Sequence, residues 1–157
     1  MIWISITLAA LVALSVLVLR VASRVSATAP ELGLDEQGQL SPCPDKPNCV
    51  CSFDPSTRHD IKPFQVPKTK KLLLAFESAC SFCEELPGSR KVTQDDTYAR
   101  FEVRSRFFRF VDDVELLLDR DGHQIHFRSG SRVGHSDMGV NRRRVETIKD
   151  RLAEWAE

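Results

Sequence analysis

The first pattern along the chain is an unbroken apolar run. Ile2 to Leu19 holds no charge, proline or glycine, and only Ser5, Thr7 and Ser15 are polar. A helix of that length just crosses a hydrocarbon core of about 30 Å. Trp3 suits one interface. The run predicts a single-pass transmembrane anchor over residues 1–20, with the membrane as a partner through residues 2–19. Ala27-Thr28-Ala29 resembles a signal-peptidase site, but no basic residue precedes the run. Arg20 and Arg24 stand between run and site, and Pro30 hinders a cut. A retained anchor is therefore expected. Arg20 and Arg24 lean the domain toward the cytoplasm, which leaves the side of the membrane open.

Polar patterning then takes over. Residues 21–39 are small and polar, with Pro30, Gly33 and Gly38, and read as a flexible linker. Residues 40–157 read as a single domain. From Thr69, an expected N-cap, Leu72, Leu73, Phe76, Ala79, Cys80 and Cys83 recur at helical steps until Pro87-Gly88. Arg90 to Gln94 reads as a short strand. From Tyr98 to Arg104 the chain alternates, with Ala99, Phe101 and Val103 on one face, and the run continues through Phe107, Phe108 and Phe110. Residues 111–119 and 123–129 make two more strands, joined by a turn at Asp121-Gly122. Val145, Ile148, Leu152 and Trp155 mark a closing helix with Asn141 as its expected N-cap, or with an earlier start at Ser136 or Asp137. The fold class is α+β: an antiparallel sheet packed against two helices in two layers, behind one N-terminal transmembrane helix.

Charge changes the picture little. Lys and Arg number 22 and Asp and Glu 22, so nothing draws the whole chain to nucleic acid, and none is expected as a partner. Five cysteines leave at least one unpaired in a monomer. In residues 40–52, Cys43, Cys49 and Cys51 lie among prolines. Three readings stay open there: a Cys43–Cys49 disulfide, inert thiols, or a soft-metal site with His59 as the nearest extra ligand. Cys80-Ser-Phe-Cys83 has the letters of a redox motif but lies deep in a helix, so both read as core. No phosphate-loop, G-x-S-x-G or H-E-x-x-H motif occurs, and neither metal nor cofactor is expected.

The chemistry worth testing is arginine. Arg100, Arg104, Arg128 and Arg132 share the polar sheet face with Glu102, Asp113 and Glu115, which reads most simply as solvated and charge-balanced. Arg142, Arg143 and Arg144 stand in a helix's first turn, where the dipole is already positive. The candidate ligand-binding set is Arg132, Asn141, Arg142, Arg143 and Arg144, with Asp112, Asp113 and Asp137 orienting them. Their counter-charge is either those internal acids or an anionic ligand or acidic protein partner. A hydrolase-type enzyme using Asp113, His126 or His135 as acid–base groups is the alternative, and requires two of them within hydrogen-bond reach. A structural accessory of a membrane or envelope complex is a third.

The segments SPCPDKPNCVCS, ARFEVRSRFFRFVDDVELLLD and IHFRSGSRVGHSDMGVNRRRVE resemble the bacterial and plastid family called domain of unknown function 1499, over about residues 40–155. The strings D-D-V-E and S-R-V-G-x-S-D-x-G-V-N-R-R-R carry the likeness. It implies anchored or exported relatives and a match of Cys43 and Cys49 to the family's paired cysteines. It transfers no activity. Cys51, Cys80 and Cys83 look particular to this chain.

Overall fold

The computed structural model describes residues 2–28 and 30–157; the side chains of residues 2–5 and 7 lie outside the described set, and with them the placement expected for Trp3. Helix α1 spans Ile2–Ala27. It does not stop with the apolar run but continues through Arg20 and Arg24, because nothing before Pro30 breaks it. From Leu8 to Ala27 it is long and apolar enough to cross a membrane.

The domain is built on one antiparallel sheet of β1 (Cys49–Cys51), β2 (Phe64–Gln65), β3 (Ser89–Gln94), β4 (Tyr98–Arg104), β5 (Val111–Asp119) and β6 (Gln124–Ser131). Strand order is β1-β6-β5-β4-β3, and β2 shares the β6 edge with β1. Helix α2 (Leu72–Glu84) and helix α3 (Val140–Ala156) cover one face. Phe76, Ala79, Cys80, Cys83, Val145, Ile148 and Leu152 pack there against Phe101, Val114, Leu116, Ile125 and Phe127. The expected α+β class with its N-terminal apolar helix is what the chain forms.

Local details differ. Helix α2 starts at Leu72 with Lys71 as N-cap and no side-chain cap, so Thr69 does not cap it, and Leu73 is exposed. The aromatic run after Arg104 is not strand. Ser105 N–H donates to Phe110 O, and Phe110 N–H to Ser105 Oγ, which closes a hairpin whose tip is Arg106, Phe107, Phe108 and Arg109. Arg109 turns the corner at φ 57°. Asn141 is not an N-cap either. Gly139 holds that position at φ 77°, and Asp137 caps the helix by accepting from Gly139 N–H and Asn141 N–H.

Candidate functional site

Alternation along β5 decides the site. Asp112 and Asp113 are neighbours, so they face opposite sides of the sheet. Asp113 lies on the face away from the helices. There Arg100 and Arg132 both donate to it, at 2.9 Å from Arg100 Nη2 and 2.7 Å from Arg132 Nε. Arg132 Nη2 also reaches Glu102 at 2.7 Å, and Arg90 takes the other Glu102 oxygen. Arg128 and the Tyr98 hydroxyl share Glu115. Asp112 lies on the helix face, where Arg144 Nη2 meets it at 2.7 Å. Arg144 Nη1 donates to Asn141 Oδ1 and Ser129 Oγ, and buried Asn141 bridges to Asn48 O and Ser131 Oγ. The expected group therefore divides into two buried networks on opposite faces.

The other members go elsewhere. Arg142 donates to Arg58 O and Arg143 to Met138 O, both at the surface. Asp137 caps the helix. Asp113 and His126 are offset by four residues along the paired strands, about 13 Å, and His135 sits exposed on the loop after β6. The three acid–base candidates therefore do not converge.

The polar face is also not solvated. Asp113 and Glu115 are 1% and 0% exposed. The segments on either side of β1 within residues 30–53 cover it, with Leu40, Cys43 and Phe53 packed over Tyr98, Leu117 and Cys51. Cys43 and Cys49 pair as a disulfide that fastens this cover to β1. Gly130 makes room for it, since a Cβ there would stand 3.1 Å from Cys49 Sγ. His59 turns its ring to Cys49 O instead of toward a metal. Among the described residues no group of His, Cys, Asp or Glu is arranged to hold a metal.

Electrostatics follow from this pairing. Burial pushes the Glu102 carboxyl up, but hydrogen bonds from Arg90 and Arg132 outweigh it and hold it below the ordinary range. The Asp113 hydrogen bonds push Arg132 further up against its burial. Burial lowers the His126 imidazole, and Asp119 only partly offsets that. Burial pushes Cys80 up to about 12 and Cys83 higher still, so this C-x-x-C is a pair of inert core thiols.

Sequence reasoning missed a cleft of about 880 Å³ at the end of the sheet where β4 meets the Ser105–Phe110 hairpin. Arg90, Arg104, Arg106, Arg109 and Arg144 line it, together with Glu102 and Asp112. Both carboxylates are already neutralised by arginine. Among the described residues, Arg104, Arg106 and Arg109 make no ion pair. Ser89 Oγ, buried on the same wall, has no hydrogen-bond partner. Gly88 shapes the floor: at φ 79° a Cβ would collide with Arg104 O. The signal available in the sequence was the segment RSRFFRF itself, read as strand when its basic and aromatic residues form a turn.

Fold and cleft together define a class: a small α+β domain carried on a membrane-length helix, with a cationic cleft beside the loops at one end of its sheet. The chain belongs to a known family, for residues 39–152 match protein of unknown function DUF1499. No curated protein and no solved structure matches it at a significant level.

Proposed function

We propose that this protein is a membrane-anchored binding module that takes an anionic group in the cleft between Arg90, Arg104, Arg106, Arg109 and Arg144. The observation that carries the reading is the wall itself: three arginines without a carboxylate partner face one concavity whose own acids are already paired. Guanidinium forks suit phosphate or carboxylate, and an unpartnered serine hydroxyl adds a donor. Asp137 already accepts two N–H groups at the start of helix α3, so the cleft relies on side chains rather than on a helix terminus.

Retention of helix α1 belongs to the same reading. Ser26 Oγ accepts from Val111 N–H at 2.7 Å, and Arg132 donates to Ser26 O and Ala27 O. A cut after Ala29 would remove residues that the sheet and its central arginine hold. The Cys43–Cys49 pair favours an oxidising compartment for the domain, against the weaker pull of Arg20 and Arg24.

Calorimetric titration of the full chain in neutral detergent micelles with pyrophosphate tests the cleft. The parent binds. The variant carrying Arg104→Gln, Arg106→Gln and Arg109→Gln binds at least about ten-fold more weakly, since each charged hydrogen bond contributes roughly 1.5–3 kcal/mol. Equal affinity in the two sinks the reading.

A further inference from the structure

The chain between membrane and domain has no slack. Helix α1 leaves the apolar run at Arg20 and is still helical at Ser26, where Val111 N–H fastens it to the start of β5. Six residues of helix advance about 9 Å. The polar layer of one leaflet is roughly 5–7 Å thick. The end of the sheet that receives α1 is therefore held against the bilayer surface, not suspended on a tether.

That end carries the residues a lipid surface takes. The hairpin tip ends two residues before the anchor point Val111 and presents Phe107 at 85% and Phe108 at 52% exposure, between Arg106 and Arg109. The loop after β6, at the same end of the sheet, adds Met138 at 84%. Val133 of that loop lines an apolar groove of about 450 Å³ with Leu17, Val18, Val21, Ala22 and Val25, so the loop lies beside α1. Two exposed phenylalanines between two arginines are unfavourable in water. At a lipid interface the rings enter the acyl boundary and the guanidinium groups stay at headgroup depth.

Resting on the anion-binding reading above, we infer that the Arg106–Arg109 tip inserts into the same bilayer that α1 crosses, and that the cleft behind it holds the phosphate headgroup of an anionic lipid. The occupant is a lipid already in the membrane. Arg106 and Arg109 belong to both features, so insertion of the tip brings the cleft mouth to headgroup level. Two-dimensional confinement raises the local headgroup concentration without any diffusing ligand.

The test uses the full chain in nanodiscs of mixed phosphatidylcholine and phosphatidylglycerol, with one or the other lipid brominated on its acyl chains. Phe107→Trp adds a reporter at the tip, and Val92→Trp, on the exposed face of β3, serves as control. Emission added by Phe107→Trp is blue-shifted and quenched by bromine; emission added by Val92→Trp is neither. Brominated phosphatidylglycerol quenches the tip reporter at least twice as strongly as brominated phosphatidylcholine. Arg104→Gln with Arg106→Gln and Arg109→Gln removes that preference. An unquenched tip, or equal quenching at Val92, overturns the insertion. A quenched tip with no preference between the lipids overturns the headgroup assignment. If pyrophosphate still binds in micelles in either case, the anion-binding cleft survives and only its lipid occupant is lost. If added pyrophosphate abolishes the preference at constant ionic strength while the tip stays quenched, a soluble phosphate is the better occupant and the lipid assignment falls.

Discussion

Two sets of arginines, both within the stretch from Tyr98 to Arg132, have opposite fates. Arg100, Arg128 and Arg132 lie under the 30–53 cover, with side chains 4–10% exposed and each on a buried carboxylate. Arg106 and Arg109 stand exposed at a hairpin tip, and among the described residues neither has an acidic partner. The difference teaches that pairing is set by register and by what lies on top, not by arginine density. A buried ion pair is weak evidence for net stability, yet removing one partner strands the other charge. A rim charge can be removed with little consequence for the fold.

The sharpest test of the inner set is Arg132→Gln. It leaves Asp113 on Arg100 alone and Glu102 on exposed Arg90, beneath a cover that admits little water. Equilibrium denaturation should show a loss of about 3–5 kcal/mol. A loss below about 1 kcal/mol would mean that the face is hydrated and the two sets do not differ. Asp112→Asn, on the opposite face, strips Arg144 of its only carboxylate partner among the described residues but leaves it Ser129 and Asn141, so its loss is smaller, about 1–3 kcal/mol.

Why the sequence led to one site where two exist is a matter of period and of long-range cover. The strands were readable because alternation is local. Tyr98–Arg104 and Val111–Asp119 form with the expected faces. The same period of two, applied to Asp112 and Asp113, already forbids both from orienting one arginine cluster. The cover was not readable. Residues 21–39 lack periodicity, and nothing local says that the chain from residue 30 onward lies over a charged sheet. The tip was misread because Phe107, Phe108 and Phe110 have strand propensity, which the Ser105–Phe110 closure overrides. Asn141 looked like a cap because caps and buried polar hubs use the same residue type; only its contacts to Asn48 and Ser131 tell them apart.

The cover can be loosened without touching an arginine. Cys43 and Cys49 are six residues apart, and chain-entropy reasoning gives such a short loop about 2 kcal/mol. Cys43→Ala with Cys49→Ala should lose about that much, and exchange at the amides of Tyr98, Arg100 and Glu115 should quicken while α2 and α3 stay protected. Uniform quickening would instead mean that the clip stabilises the whole domain and has no special relation to the inner set.

Acid should also act on the covered face first. His126 sits there beneath Phe53, its imidazole lowered by burial, and Glu102 is held low by Arg90 and Arg132 against its burial. Both groups bind protons more readily in the unfolded chain. Their contribution is therefore complete above the ordinary values of the free groups and is lost as pH falls. The His126 part goes first, below about 6.5, and the Glu102 part follows below the ordinary carboxylate range. Denaturation midpoints measured against pH should decline in that order. His126→Phe should remove the earlier step alone, and an unchanged profile in that variant refutes the assignment.

The smallest expected change in stability is at the rim, and it is the most informative. Arg106→Gln with Arg109→Gln should move stability by no more than about 0.5 kcal/mol, because both side chains are exposed and unpaired. Without an anion, the arginines around the cleft repel one another, so any shift should be a small gain, fading as salt screens them. With pyrophosphate present at constant ionic strength, the order reverses. The parent should gain thermal stability as the ligand concentration rises past its dissociation constant, since binding to the folded state alone adds to stability. The double variant should gain less. Arg132→Gln, which empties an inner position and leaves both tip arginines in place, should keep the ligand-induced gain despite its lower starting point. If Arg132→Gln loses the gain and the rim variant keeps it, the roles of the two sets are exchanged: the inner arginines bind, and the tip is ornament to the fold.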